Sequence, residues 1–266
     1  MNVNRSTFYK HFKPKSSLRK EENLQLKKEI LTIYSQSKKR FGAYKIRQRL
    51  LVQFGKKISV GRVYRLMKSM ALPKMSTLKT SHSFINSTLD DYNNILNQKF
   101  YPDKPNLVWV SDITYVKVNS RFFYVCVVID LFARKVIAYK TSSKIDSQLV
   151  LDTFYSAYYK RNSPTGIMFH SDRGSQYTSK IFRNTLDSFN FVQSFSAKAH
   201  PFDNAVAESF FKYLKKEDLN RKTFSSLDEL NLALFEYIEG FYNSKRPHFA
   251  NKLLTPDEKE KIFFNF

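Results

Sequence analysis

From Glu21 to about Leu72 the apolar residues recur at spacings of three and four, the signature of amphipathic helices. In "LKKEILTIYSQS" the positions Leu26, Ile30, Ile33 and Tyr34 share one face. In "GAYKIRQRLLVQFG", Ile46 and Leu50 continue the apolar stripe together with Val52 and Phe54, while Lys45, Arg47 and Arg49 point outward. "ISVGRVYRLMKSMAL" offers Ser59 as an N-cap and Val63, Leu66, Met67 and Met70 as the buried side. Three short helices, a Gly-containing turn and a basic last helix predict a helix-turn-helix module over residues 21–73. A packing or dimerisation bundle has the same pattern. A basic extension, residues 1–20, precedes it. Residues 74–101 are polar and aperiodic and read as a linker, with a short helix near Asp91 to Leu96.

At Pro105 the period changes from helical to extended. "LVWVSDITYVKV", "FFYVCVVID" and "RKVIAYK" are three strands, and turns as short as "SR" allow only antiparallel pairing, giving a meander from Leu107 to Lys140. "DSQLVLDTFYSAYYKR" is a helix capped by Asp146 or Ser147 with Leu149, Val150, Phe154, Ala157 and Tyr158 on its apolar side. The strand "IMFHSD", the helix "SKIFRNTLDSFN" and the short strand "FVQSFS" follow, and alternation of this kind needs crossovers and parallel strands. The expected fold over residues 102–222 is α/β, a mixed five-stranded sheet with flanking helices of the ribonuclease H-like type. Two more helices close the chain. "DNAVAESFFKYLKKE" is capped by Asp203 or Asn204, and "SSLDELNLALFEYIEGFYNSKRPH" is capped by Ser225 or Ser226. The last helix and a basic tail, residues 223–266, are expected to pack on the core.

Charge narrows the partners. Lys and Arg outnumber Asp and Glu by 45 to 23, a net charge of +22, which favours a polyanion through counterion release. Nucleic acid is the leading candidate, with an anionic membrane surface or a ribosome as the alternative. On this reading the final helix of the first module would enter a DNA major groove, with Lys45, Arg62 and Arg65 as its contacts. Cys126 is the only cysteine, so there is no disulfide framework, and no apolar run reaches the roughly 18 residues of a membrane span. These features suit a soluble cytoplasmic protein.

Candidate chemistry follows from where carboxylates fall. Asp112 interrupts an apolar strand, where a carboxylate is costly unless it is paired, exposed at a site or bound to a cation. Asp172 closes "IMFHSD", at the carboxyl end of a strand where α/β sheets gather ligands. The two converge if those strands are neighbours. On the helix that follows, Val206, Phe210, Tyr213 and Leu214 form the core stripe, and Glu208 lies nearly opposite, on the face of Lys212 and Lys215. A Glu followed four residues later by a Lys is also an ordinary surface pair. Three converging carboxylates repel one another unless a cation sits among them, and an all-oxygen set of two Asp and one Glu suits Mg²⁺ or Mn²⁺. Zinc is disfavoured, since the five His and one Cys show no paired ligand spacing.

"WVSDITYV", "HSDRGSQYTS", "DNAVAESFFKYLKKE" and "YNSKRPHFANKLLTPDE", in that order, closely resemble bacterial insertion-sequence transposases of the orfB type, relatives of retroviral integrases with a D, D, E triad. The 35 residues between Asp172 and Glu208 match the spacing of that group. The resemblance spans nearly the whole chain, and "KKRFGAYKIRQRLL" with "VGRVYRLMKSMAL" looks like the family's helix-turn-helix. It implies that Asp112, Asp172 and Glu208 are the catalytic, metal-binding triad. It also implies that Lys212 and Lys215 contact the element-end DNA, and that Gln176 and Tyr177 lie in a loop bordering the active site and contact DNA there. Two Mg²⁺ or Mn²⁺ ions would serve phosphoryl transfer in DNA strand cleavage and strand transfer. A homo-multimer on paired ends and a circular intermediate are the implied assembly and product. The chain lacks the His and Cys zinc module of retroviral integrases. "NVNRSTFYK" looks like the tail of a helix begun upstream, so an upstream-frame helix-turn-helix protein is an implied partner. A catalytically inactive DNA-binding regulator and a structure-selective nuclease on the same fold are the alternatives.

Overall fold

The computed structural model describes residues 18–72, 92–197 and 201–265. The expectations for "NVNRSTFYK" and for residues 74–91 fall outside these residues. The chain divides into two compact units, one up to Met75 and one from Ser76 onward.

The first unit holds three helices, α1 (Leu18–Gln36), α2 (Ala43–Phe54) and α3 (Val60–Ser69). Leu26, Ile30, Ile33 and Tyr34 of α1, Ile46 and Leu50 of α2, and Val63 and Leu66 of α3 are buried, as their spacing predicts. Val52 and Phe54 are exposed instead, because Leu50 ends the buried face of α2 and Gly55 turns the chain away in the left-handed region. Ser59 caps α3 by accepting from Arg62 N. Arg62 also ties α3 to α1: its Nη1 and Nη2 donate to the two carboxylate oxygens of Glu22 at 3.0 and 2.7 Å, and Nη2 to Asn23 Oδ1 at 2.9 Å.

The second unit is built on a five-stranded sheet of order β3-β2-β1-β4-β5. Its strands are β1 (Val108–Val118), β2 (Arg121–Asp130), β3 (Lys135–Ser142), β4 (Met168–Ser171) and β5 (Val192–Phe195). β1, β2 and β3 form the antiparallel meander, and β4 and β5 add in parallel beside β1. The first hairpin turns at Asn119 and Ser120 rather than at "SR", since Val118 already faces Arg121 and Asn119 takes the left-handed φ of 52° that a tight turn needs. Between β3 and β4 runs α4 (Ser147–Lys160), capped by Asp146. Between β4 and β5 lie the single turn α5 (Ser175–Thr178) and α6 (Lys180–Ser188). Trp109, Cys126, Val128, Phe154, Phe169, Tyr177, Phe182 and Phe191 form the core beneath these helices.

The segment read as the end of a linker belongs to this unit. Asn93 O accepts from Phe195 N at 3.0 Å, Ile95 and Leu96 N–H groups both donate to Ser194 Oγ at 3.0 Å, and Leu96 is buried. Residues 92–95 are therefore bonded to β5 and do not form the short helix expected there.

After β5 a 3-10 turn, Pro201–Asn204, leads into α7 (Ala205–Glu217). Then come α8 (Leu227–Tyr237), capped by Ser226, a six-residue π-helix Ile238–Asn243, and α9 (Pro256–Phe264), closed by a Thr255–Glu258 capping box. These bind back to β3, to the turn before it and to the end of α4 through specific polar contacts. Asn243 pairs with both backbone groups of Val136, at 3.0 and 2.9 Å, and Asn251 Nδ2 donates to Ala133 O at 2.7 Å. Glu260 takes Lys135 at 2.8 Å and the Arg161 guanidinium.

Candidate active site

Asp112 sits midway along β1, paired across to Val127 of β2. The parallel ladder with β4 runs only from Val108 to Val110, opposite Met168 to His170, so Asp112 lies just past the point where the two strands part. Asp172 follows the last residue of β4. Its Oδ1 accepts from Gly174 N at 3.0 Å, which folds the loop over the carboxylate. β1 and β4 are neighbours, as convergence of these two Asp requires. Glu208 stands exposed on the first turn of α7, and α7 packs on β1.

Electrostatics report the convergence. The Asp112 carboxyl is pushed up to about 8, first by burial, then by the charge of Asp172, with Glu208 adding in the same direction. The N–H of Ile113, which donates to Asp112 Oδ1 at 2.8 Å, and the Lys215 ammonium oppose that displacement. Asp172 is also raised, by desolvation in the crowded loop, an effect its exposure to water tempers. No three His, Cys, Asp or Glu side chains among the described residues stand at the spacing of ligands to one ion.

α7 is turned relative to the expected stripe. Ala207, Phe210, Phe211, Leu214 and Glu217 are buried, whereas Tyr213 is 37% exposed and Val206 half-buried. The rotation carries Lys215 inward, where it is half-buried with Nζ 4.7 Å above the Tyr115 ring, and burial lowers its pKa against the pull of Asp112. Lys212 remains exposed. Neither expected cap is made at the start of this helix. Asp203 instead accepts from Ala197 N at 2.8 Å and Gln98 Nε2 at 3.0 Å, and Asn204 Nδ2 donates to Ser111 O at 3.2 Å.

The other expected contacts fall differently. Tyr177 is fully buried and Gln176 nearly so, which removes the Tyr177 ring from any DNA surface. The Tyr177 hydroxyl bonds Ser111 Oγ at 2.8 Å. Arg62 is engaged with Glu22 and Asn23, Lys45 leans over Phe41 at 5.6 Å, and Arg65 is exposed; all three lie in the first unit. In the basic "NSKRPHFANK", Arg246 is buried rather than surface-facing. It grips Glu217 with two 2.9 Å bonds and packs 4.0 Å from the Tyr213 ring.

Sequence reasoning gave Ser111 and His170 no part and took Asn204 only as a helix cap. His170 is buried between Ser194 Oγ at 2.9 Å and Ser196 Oγ at 3.2 Å, and burial lowers its pKa to about 4, so it is neutral at physiological pH. The available signal was a polar residue at a position whose strand neighbours are apolar, as Ser111 is between Val110 and the Asp.

The integrase core domain family matches residues 102–201 and, in a second match, 208–261, and an HTH-like domain family matches residues 20–75. The chain is 35% identical to the transposase for insertion sequence element IS904 of Lactococcus lactis, over 91% of this chain and 98% of that protein. It is 36% identical to the putative transposase InsK for insertion sequence element IS150 of Escherichia coli, over 96% of this chain and 89% of that one. Among solved structures, the HTLV-2 integrase catalytic core domain aligns at 20% identity and a TM-score of 0.45, covering 59% of this chain and 97% of that one. The chain therefore belongs to the insertion-sequence transposases that carry an HTH-like unit ahead of an integrase core.

Proposed function

We propose that Asp112, Asp172 and Glu208 are the catalytic carboxylates with which this transposase cuts the ends of its own element and joins them to another DNA strand. The observation that supports the reading is geometric: Asp112 stands just past the point where neighbouring strands β1 and β4 part, Asp172 follows the end of β4, and Glu208 lies on the first turn of the helix packed on β1. The upward shift of the Asp112 carboxyl, from burial, Asp172 and Glu208 in that order, agrees with it. A group so placed holds either a proton or a cation at neutral pH.

The donor set fits a hard cation: the oxygens of two Asp and one Glu, with no nitrogen or sulfur ligand beside them. Two Mg²⁺ or Mn²⁺ ions bound there would polarise the scissile phosphate and lower the pKa of an attacking water. The chain's own part is placement. β1, laddered to β2, carries Asp112 just past its ladder with β4, the Gly174 N–H holds Asp172, and α7, packed on β1, presents Glu208 from its first turn. Lys215 offers its ammonium beside Asp112, where it would meet the non-bridging oxygens of the DNA phosphate, and exposed Lys212 extends that surface. In the first step water attacks a phosphodiester and a strand end leaves as a free 3′-hydroxyl. That hydroxyl then attacks a second phosphodiester, forming a new 3′–5′ linkage as the P–O bond to the attacked strand's own 3′ oxygen breaks and that strand leaves with a free 3′-hydroxyl. A homo-multimer bridging two element ends, and an upstream-frame helix-turn-helix protein, complete the assembly in this reading.

The test is a cleavage and strand-transfer assay on the element's own ends with Mg²⁺. Asp112→Asn, Asp172→Asn and Glu208→Gln are each expected to abolish both steps while DNA binding persists. Cleavage retained by all three variants overturns the assignment.

A further inference from the structure

Two hydrogen bonds from different parts of the chain meet at the residue before Asp112. Ser111 Oγ is 2.8 Å from the Tyr177 hydroxyl, and Ser111 O accepts from Asn204 Nδ2 at 3.2 Å. All three residues are buried, Ser111 and Tyr177 completely. We infer that Ser111 is a positioning residue that sets the separation of the three carboxylates, reaching the Asp172 loop through Tyr177 and the Glu208 helix through Asn204. The inference rests on the assignment of Asp112, Asp172 and Glu208 made above.

Each arm can be traced bond by bond. From Asp172, Oδ1 takes the N–H of Gly174 and Gly174 O takes the N–H of Tyr177 at 2.9 Å, so carboxylate, turn and ring are one rigid loop. Gln193 Nε2 donates to Tyr177 O at 2.9 Å and pins that turn to β5. On the other side, Asn204 directly precedes α7, and Glu208 follows it by one helical turn. The preceding Asp203 is itself fixed by Ala197 and Gln98, so Asn204 enters from a braced turn. Ser111 is covalently joined to Asp112, and the β1–β4 ladder has already ended at Val110. Sheet bonding to β4 thus stops where the hub begins.

Packing alone does not account for these residue types. Tyr177 and Ser111 share the apolar core of Trp109, Phe182 and Cys126, where Phe and an aliphatic residue would fill the space without polar atoms to satisfy. Each hydroxyl is the main partner of the other there, with the Cys126 sulfur at 3.7 and 3.8 Å as a weaker neighbour. Groups that orient metal ligands through hydrogen bonds typically change metal affinity when removed, by about 10- to 100-fold.

The experiment is Mn²⁺ titration of the full chain, with free Mn²⁺ read by electron paramagnetic resonance, alongside thermal unfolding in divalent-free buffer and strand cleavage. Tyr177→Phe and Ser111→Ala are each expected to weaken Mn²⁺ binding about 10-fold, and cleavage is expected to fall in parallel. Because both remove the same bond, the double variant should bind no more weakly than the worse single one. Tyr177→Phe keeps the ring and should unfold cooperatively near the parent temperature. Mn²⁺ affinity unchanged in Tyr177→Phe, or losses that multiply in the double variant, would overturn the hub. Asp112→Asn separates the two levels. If it leaves Mn²⁺ binding intact, the triad assignment fails; if it abolishes binding while Tyr177→Phe does not weaken it, only the hub fails.

Discussion

Asp112→Asn is expected to make the protein more stable, provided divalent cations are absent. The Asp112 carboxyl is displaced from 3.8 to about 8, so its charged form is disfavoured in the folded state. At about 1.4 kcal/mol per pH unit of displacement, the ceiling on that cost is about 6 kcal/mol. The side chain is only half-buried and shares its repulsion with Asp172, so a cost of about 1–3 kcal/mol is the realistic figure. The pH dependence follows from the direction. Because the folded pKa lies above the unfolded one, the folded protein holds the extra proton between about pH 4 and pH 8, and stability falls as pH rises through that window. Asparagine has no such slope, and it can still accept the Ile113 N–H. The variant should match the parent near pH 4 and exceed it most above pH 8, by about 2–4 °C in Tm per kcal/mol. Saturating Mg²⁺ should cancel or invert the difference, since the parent alone gains binding energy from the ion. The assay is thermal unfolding at pH 5 and pH 8.5, in chelator and in Mg²⁺. A variant that is less stable at both pH values in chelator, or a gap independent of pH, would refute the reasoning.

Three further outcomes follow from contacts away from the carboxylates. Arg246→Ala should destabilise the second unit by about 3–5 kcal/mol in denaturant unfolding, because it strands the buried Glu217 carboxylate, leaving mainly the Tyr237 hydroxyl at 2.8 Å; lost DNA affinity with unchanged stability would contradict this. Asn243→Ala removes the partner of both backbone groups of Val136 and should cost about 1–3 kcal/mol, measured the same way. Lys212→Ala and Arg65→Ala, both exposed cations, should leave unfolding unchanged and each reduce the slope of log affinity for DNA against log salt by about 1.

The strands were legible because their apolar runs and short turns leave few pairings, and the order that puts β1 beside β4 follows from the crossovers. The placement of Asp112 and Asp172 was legible for the same reason: one breaks an apolar strand and the other directly follows the end of its neighbour. The facing of α7 was not. With Val206, Ala207, Phe210, Phe211, Tyr213 and Leu214 all apolar or aromatic, nearly half its circumference could serve as core, and only the contact with β1 selects Ala207 and Phe211 over Val206 and Tyr213. Tyr177 was misread because a single helical turn gives no periodicity to show that its ring faces inward. Arg246 was obscured by its basic neighbours, since its partner Glu217 lies 29 residues earlier and no local pattern links them.

The π-helix from Ile238 to Asn243 gives the C-terminal segment an unusual relation to chain length. Each of its turns holds more residues than an α-turn, and removing one residue would rotate everything downstream by about 100°. Asn243 would leave Val136, and Arg246 would leave Glu217. A small side chain at Gly240, the exposed residue of this stretch, should therefore pass unnoticed, whereas a one-residue insertion or deletion should disable the protein at a distance from every catalytic group. The segment works as a spacer of fixed length, and relatives that share these anchors should share its residue count before they share its residues.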